Sequence, residues 1–307
     1  MGLKVDLSVS LGPLRLKNPV LAASGCFGFG EEYSSLFDLN LLGGLITKAI
    51  TLNPTPGNPP PRVVETPCGM LNSIGLANPG LEGFRKGKLP FLRSLLIPII
   101  VNVAGCREGE YIEVIKGLEE EEGIDGYEIN ISCPNVEKGG MEFSSDPKTA
   151  FKLVSSLREI TSKSLIVKLS PNLGNITLVA KAGEEAGADA VSLINTLVGM
   201  VVDVKARKPV LARVTGGLSG PAIRPVALAL VWKVAQAVEI PLVGVGGIFA
   251  PEDALEFILA GATAVQVGTA NFVDPGTMPK IIDGLREYCQ KEGIARISQL
   301  IGGLKNG

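Results

Sequence analysis

The sequence predicts an α/β fold, a (β/α)8 TIM barrel, on three observations. Eight short apolar runs recur along 307 residues, and amphipathic stretches separate most of them. Mean hydropathy is +0.31, which suits parallel strands buried on both faces. Polar residues close most of the runs, where a barrel would gather them at one mouth. A doubly wound sheet is the alternative. It usually carries GxGxxG after its first strand, and residues 24–30 (SGCFGFG) lack that pattern.

Residues 5–16 read as an N-terminal hairpin plugging the far end of the barrel. The first run, 20–23, ends at Ser24, and the second, 44–47, at Lys48. The third, 97–101, ends at Asn102, the fourth, 127–129, at Asn130, and the fifth, 165–167, at Lys168. The sixth, 190–194, ends at Asn195, the seventh, 242–245, at Gly246-Gly247, and the eighth, 264–267, at Gly268-Thr269. Helices are expected at 111–121, 147–161, 176–186, 225–237, 251–260 and 275–291. Pro147, Pro225, Pro251 and Pro275 each suit a first helical turn, where a missing N–H costs nothing. Two Pro- and Gly-bearing excursions break the rhythm, 51–71 and 197–221, the second with strands expected at 201–204 and 210–214. Both follow strand C-termini and should rise over the C-terminal face. No repeat or linker interrupts the pattern, so 1–307 reads as a single domain.

Composition narrows the chemistry. Lys plus Arg number 29 and Asp plus Glu 31, a net charge of −2, so no basic field points to nucleic acid. There is no histidine, which excludes Ser-His-Asp and Cys-His catalysis and HExxH zinc sites. Proton transfer must use Cys, Lys, Asp, Glu, Tyr or water. The five cysteines are odd in number and widely spaced, which argues for a reducing cytoplasm rather than a disulfide framework. No apolar run approaches the ~18 residues of a membrane span, and the N-terminus lacks a signal-peptide core.

Six of the eight strand ends carry Ser, Lys or Asn. Such residues also end strands as ordinary turn formers. As a set, two lysines and three asparagines in a closed space call for a ligand. Gly246-Gly247 and Gly268-Thr269 fall where barrels bind phosphate through backbone N–H groups, with tight turns as the plainer reading. Cys133, in a Pro-Asn turn after the fourth strand, differs from a buried structural thiol, because Lys48 and Lys168 could supply the positive field that thiolate chemistry needs.

At these residues the sequence resembles the dihydroorotate dehydrogenases. The resemblance runs essentially end to end: NSIGLAN at 72–78, VNV at 101–103, EINISCPN at 128–135, VKLSP at 167–171, INT at 194–196, LSG at 218–220, VGG at 245–247 and VGT at 267–269. It implies FMN, one per chain, held by Ser24, Lys48, Ala49, Asn102, Asn130, Lys168 and Ile194. Gly220, Gly246, Gly247, Gly268 and Thr269 would hold its phosphate and ribityl region. It implies that the dihydroorotate or orotate ring lies against Lys48, Asn72, Ser73, Ile74, Gly75, Leu76, Asn130, Asn195 and Thr196. It implies Cys133 as the base that deprotonates C5, and Lys168 as the group that stabilises charge on the reduced flavin. A cysteine rather than a serine at that position resembles the soluble class 1. Ile74, Pro79-Gly80 and 138–143 (KGGMEF) look like its NAD⁺-linked branch, against the fumarate-reducing homodimer as alternative. That branch implies a self-dimer joined to a partner subunit carrying FAD and an iron–sulfur cluster, a heterotetramer. This chain has no Rossmann fingerprint or clustered cysteines for either group. A related flavin barrel acting on uracil or thymine, and a Schiff-base lyase using Lys48 or Lys168, are the more distant readings.

Overall fold

A computed structural model describes residues 3–131, 146–172 and 174–305. Eight parallel strands close into a barrel: β1 (Val20–Ala22), β2 (Gly44–Ile46), β3 (Ile99–Val103), β4 (Gly126–Asn130), β5 (Ser164–Lys168), β6 (Ala190–Leu193), β7 (Leu242–Val245) and β8 (Ala264–Val267). Each pairs with its sequence neighbours, and β8 pairs with β1, so the barrel has no open edge. Six of the eight strands are buried at every residue. Their inward side chains fill the barrel and their outward ones meet helices. At about 1.5–3 kcal/mol for each fully buried Val, Leu or Ile, this burial is the main force closing the barrel.

The helices are α1 (Gly80–Gly87), α2 (Leu89–Leu92), α3 (Glu108–Glu119), α4 (Pro147–Arg158), α5 (Ile176–Glu185), α6 (Arg224–Ala235), α7 (Pro251–Leu259), α8 (Ala270–Val273) and α9 (Thr277–Lys291). Pro147 and Pro251 open α4 and α7, and Pro225 is the second residue of α6, as expected. The Asp146 carboxylate caps α4 by accepting from the backbone N–H groups of Lys148 and Thr149. Pro275 is a correction, because it precedes its helix. Asp274 accepts from the Gly276 N–H at 2.9 Å, and its carbonyl accepts from the Thr277 hydroxyl at 2.7 Å, which delays the start of α9. The sequence pattern did not foretell α1. Three glycines dilute its helical signal, while buried Leu81 and Phe84 anchor it.

The N-terminal hairpin forms from Val9–Leu11 and Leu14–Leu16. The Ser164 hydroxyl, at the start of β5, donates to the Leu11 carbonyl at 3.0 Å in a buried bond. The hairpin therefore seals the N-terminal end of the barrel.

The two excursions meet in one four-stranded antiparallel sheet over the opposite end. Its order is Leu197–Met200, Thr215–Ser219, Gly69–Asn72, Val63–Thr66. The strands expected at 201–204 and 210–214 are corrected. A short ribbon pairs Val202–Asp203 with Lys208–Pro209, and 210–214 is a series of bends. Val214 has φ +67°, which a β-branched residue cannot carry within a strand. Pairing resumes only at Thr215. Among the described residues, no helix is long and apolar enough to cross a membrane.

Candidate functional site

Strand register assembles the site. Asn130 at the end of β4 lies beside Lys168 at the end of β5, and Lys168 lies beside Ser192 of β6. A cleft opens at the C-terminal mouth. Lys168 lines it from β5, with Ile194, Asn195 and Thr196 after β6. Gly246-Gly247 follow from β7, Gly268-Thr269 from β8 and Ser24 from β1. Gly220 reaches the cleft from the roof sheet. Ser219, Ile223 and Cys26 share its wall, although the sequence did not single them out.

Two glycines make this close approach possible. Gly247 has φ +71°, and a Cβ there would sit 2.8 Å from both the Gly220 carbonyl oxygen and Arg224 Cβ. Gly220 has φ +97°, and a Cβ there would come within 2.7 Å of Gly69 Cα. Three stretches of backbone therefore touch where only glycine fits. The Thr269 hydroxyl donates to the Ser219 hydroxyl at 2.8 Å, tying the end of β8 to the roof.

The floor of the cleft is a buried polar cluster. Lys168 is 6% exposed and Glu128 is 0% exposed. One Glu128 oxygen accepts from Lys168 Nζ at 3.3 Å and from Asn102 Nδ2 at 2.7 Å. The other accepts from the Ser192 hydroxyl at 2.8 Å and from Gln266 Nε2 at 2.6 Å. Asn102 is wholly buried beneath the cleft, and the Thr47 hydroxyl oxygen accepts from its backbone N–H at 3.2 Å. Its Oδ1 is a buried acceptor with no hydrogen-bond partner among the described residues. Glu128, at the centre of this cluster, was not singled out by the sequence reading. The available signal was its place two residues before Asn130, which puts both on one face of β4.

A second group gathers on the roof side. Lys48 is half-buried, and its backbone N–H donates to the Gly28 carbonyl at 2.9 Å. Burial first, and the Arg62 guanidinium second, push its ammonium below the usual lysine range, with Glu32 opposing. Ala49 beside it is buried. Asn72 ends a roof strand and pairs with Gly217. Asn58 braces the following turn: its Nδ2 donates to the Ser73 carbonyl at 3.0 Å, and its backbone N–H to the Ile74 carbonyl at 2.9 Å. Gly75 and Leu76 complete the turn at φ +72° and +53°. Asn72, Ser73, Ile74, Gly75, Leu76, Lys48, Ala49, Asn102 and Asn130 do not line the cleft itself. Asn130 is half-buried, and its carbonyl accepts from the Tyr111 hydroxyl at 2.8 Å. Arg62 is a further residue the sequence reading did not single out.

Cys133 and residues 138–143 lie outside the described residues. Cys26, in the cleft wall, has its thiol pushed up to about 11 by burial, with Lys168 pulling the other way, so it is protonated near neutrality. A larger hollow of about 330 Å³ lies at the opposite end, near the start of β3. Its charged residues are already engaged, Asp125 by the Ile99 N–H and Arg93 by Glu121, so it lacks the chemistry of the mouth.

The family model for dihydroorotate dehydrogenase matches residues 6–289. The chain belongs to the dihydroorotate dehydrogenase family. Among its dihydroorotate dehydrogenase relatives, the protein from Geotalea uraniireducens is 54% identical over 98% of this chain and 99% of its own length. A relative from Thermodesulfovibrio yellowstonii is 54% identical over 97% and 99%, and one from Thermoanaerobacter pseudethanolicus is 52% identical over 98% and 99%. All three are named dihydroorotate dehydrogenase B (NAD(+)), catalytic subunit. A crystal structure of the Eimeria tenella dihydroorotate dehydrogenase in complex with ferulenol aligns with a TM-score of 0.79. The alignment covers 97% of this chain and 88% of that one, at 22% identity, and shows a shared fold.

Proposed function

We propose that this chain oxidises dihydroorotate to orotate with FMN, as the catalytic subunit of an NAD⁺-linked enzyme of pyrimidine biosynthesis. The observation that carries the reading is the cleft at the barrel mouth. It joins a buried lysine to a glycine-built anion seat within a chain about 54% identical to NAD(+)-linked catalytic subunits. The residues present fit FMN. Gly220 and Gly247 let three stretches of backbone close on one another at the cleft wall, where side chains would not fit, and Asn102 Oδ1 offers a buried acceptor without a partner among the described residues.

When bound, FMN takes up the electron pair removed from the substrate. Ser24, Lys48, Ala49, Asn102, Asn130, Lys168 and Ile194 hold its ring side, and Gly220, Gly246, Gly247, Gly268 and Thr269 its phosphate side. Lys168 presents a positive charge where negative charge develops during reduction. Asn72, Asn130 and Asn195 match the amide edges of the substrate ring, because an asparagine offers both a donor and an acceptor. Ser73, Ile74, Gly75, Leu76 and Thr196 shape the same side of the pocket. Lys48 suits the substrate carboxylate: burial first and the Arg62 charge second disfavour its ammonium, and an anion beside it would offset both. Cys133 removes the C5 proton.

Gly247→Ala is expected to weaken FMN binding at least tenfold, read by quenching of flavin fluorescence on titration. Unchanged affinity would remove the phosphate seat from this cleft. The branch is tested by purification from its source cells. A complex with a second subunit bearing FAD and an iron–sulfur cluster, reducing NAD⁺ with dihydroorotate, is the expected result, in a cytoplasmic heterotetramer. The isolated chain reducing fumarate at the rate of a complete enzyme would overturn the NAD⁺ assignment.

A further inference from the structure

We propose that Glu128 is a positioning residue for flavin reduction. Its carboxylate holds the Lys168 ammonium, dictates which way the Asn102 amide faces, and sets how strongly bound flavin favours its reduced form. The proposal rests on the FMN reading above and adds a residue that touches neither cofactor nor substrate.

Among the described residues, every group at hydrogen-bond distance from the Glu128 carboxyl presents a donor. Lys168 Nζ, Asn102 Nδ2, the Ser192 hydroxyl and Gln266 Nε2 converge on two oxygens. The Lys168 ammonium has no acceptor to offer, and the two amides and the hydroxyl can each turn a donor toward the carboxylate that pairs with it. A buried carboxylate is tolerated only when paired and fully hydrogen-bonded, and this one is both. The four partners come from β3, β5, β6 and β8, so the charge also cross-links the barrel interior.

The carboxylate settles the orientation of Asn102. An ionised carboxylate cannot donate, so the amide must turn its NH₂ toward Glu128. Its carbonyl is then forced to the other side, where Oδ1 is buried and has no partner among the described residues. Gln266 obeys the same rule, and its Oε1 is also left without a partner among the described residues. The polarity that Asn102 offers a bound ring is therefore fixed by a residue behind it.

The charge acts on Lys168 in a second way. A negative charge 3.3 Å from the ammonium offsets much of the field that the lysine projects into the cleft. Reduced flavin is the more negative form. Glu128 therefore holds back its stabilisation, which suits a site that must surrender electrons as readily as it takes them.

The test compares wild type, Glu128→Gln and Glu128→Asp as FMN-loaded full-length chains. Removing the charge in Glu128→Gln is expected to raise the preference for reduced over oxidised flavin tenfold or more. That is about 30 mV in midpoint potential for a two-electron couple. Glu128→Asp keeps the charge and should stay within twofold of wild type. A purely structural residue would weaken both flavin forms alike. An unchanged or lowered potential in flavin-loaded Glu128→Gln would overturn the proposal. A second measurement needs no flavin. Lys168→Met strands the carboxylate, so Lys168→Met/Glu128→Gln should melt at a higher temperature than Lys168→Met. The reverse order would overturn the pairing even if Glu128→Gln alone is not recovered. A wild-type chain that binds no FMN would refute the cofactor reading and this proposal with it, while the melting pair would still decide the Lys168–Glu128 pairing.

Discussion

Cys133→Ala is expected to purify yellow, with FMN bound, and to oxidise dihydroorotate about 10²–10⁴-fold more slowly, the usual worth of a positioned general base. Stopped-flow reduction of the flavin by dihydroorotate reads this step alone. Cys133→Ser should keep a fraction of the rate and move its pH dependence upward, because a hydroxyl is a far weaker acid than a thiol. With no histidine in the chain, a rise in rate between pH 6 and 9 has few other sources. Cys26 is not one of them: its thiol is pushed up to about 11, so any limb it contributes lies well above that range. A near wild-type rate in Cys133→Ala, or the same pH limb in both proteins, would assign the base elsewhere.

Lys168→Met is expected to slow flavin reduction about 10²–10³-fold, the range seen when one preorganised charge-stabilising group is lost. It should also lower the flavin midpoint potential, since the remaining Glu128 carboxylate disfavours added negative charge. Stability falls as well, by about 3–5 kcal/mol, because a buried carboxylate is left without its cation. Lys168→Arg should recover only part of the rate, since a planar guanidinium does not occupy an ammonium's place. Rapid reduction with an unaltered potential in Lys168→Met would remove the lysine from the chemistry. The measurements are the potential, the melting temperature and the single-turnover rate on one preparation.

Much of the barrel was legible because it is written locally. Each strand is a short apolar run, six of the eight runs give way to Ser, Lys or Asn, and each run falls on a strand of the closed barrel within about two residues, although Asn102 lies inside its strand and not past its end. The cleft followed from the same signal, since the ends of β5, β7 and β8 can only converge. What was not legible is non-local. The Asn72 to Gly217 pairing joins residues 145 apart, and no local pattern announces it. Gly216 and Gly217 fall outside the strands expected in the second excursion, yet they form a strand because neighbouring strands supply the partners. Glu128 was hidden for a different reason. It lies inside a run read as apolar, and its role appears only when four other strands bring their donors to it.

The roof built from both excursions has a mechanical consequence. Its substrate-side strand, Gly69–Asn72, is hydrogen-bonded to Thr215–Ser219, which runs directly into Gly220 and is pinned to Thr269. Under the proposed function, the roof is a single lever with the 72–76 turn on its substrate arm and Gly220 on its phosphate arm. If product leaves past this roof, the proposed roles make its exit and cofactor retention draw on one shared stiffness. A substitution that loosens the lever would be read as faster product departure and faster flavin loss in the same protein.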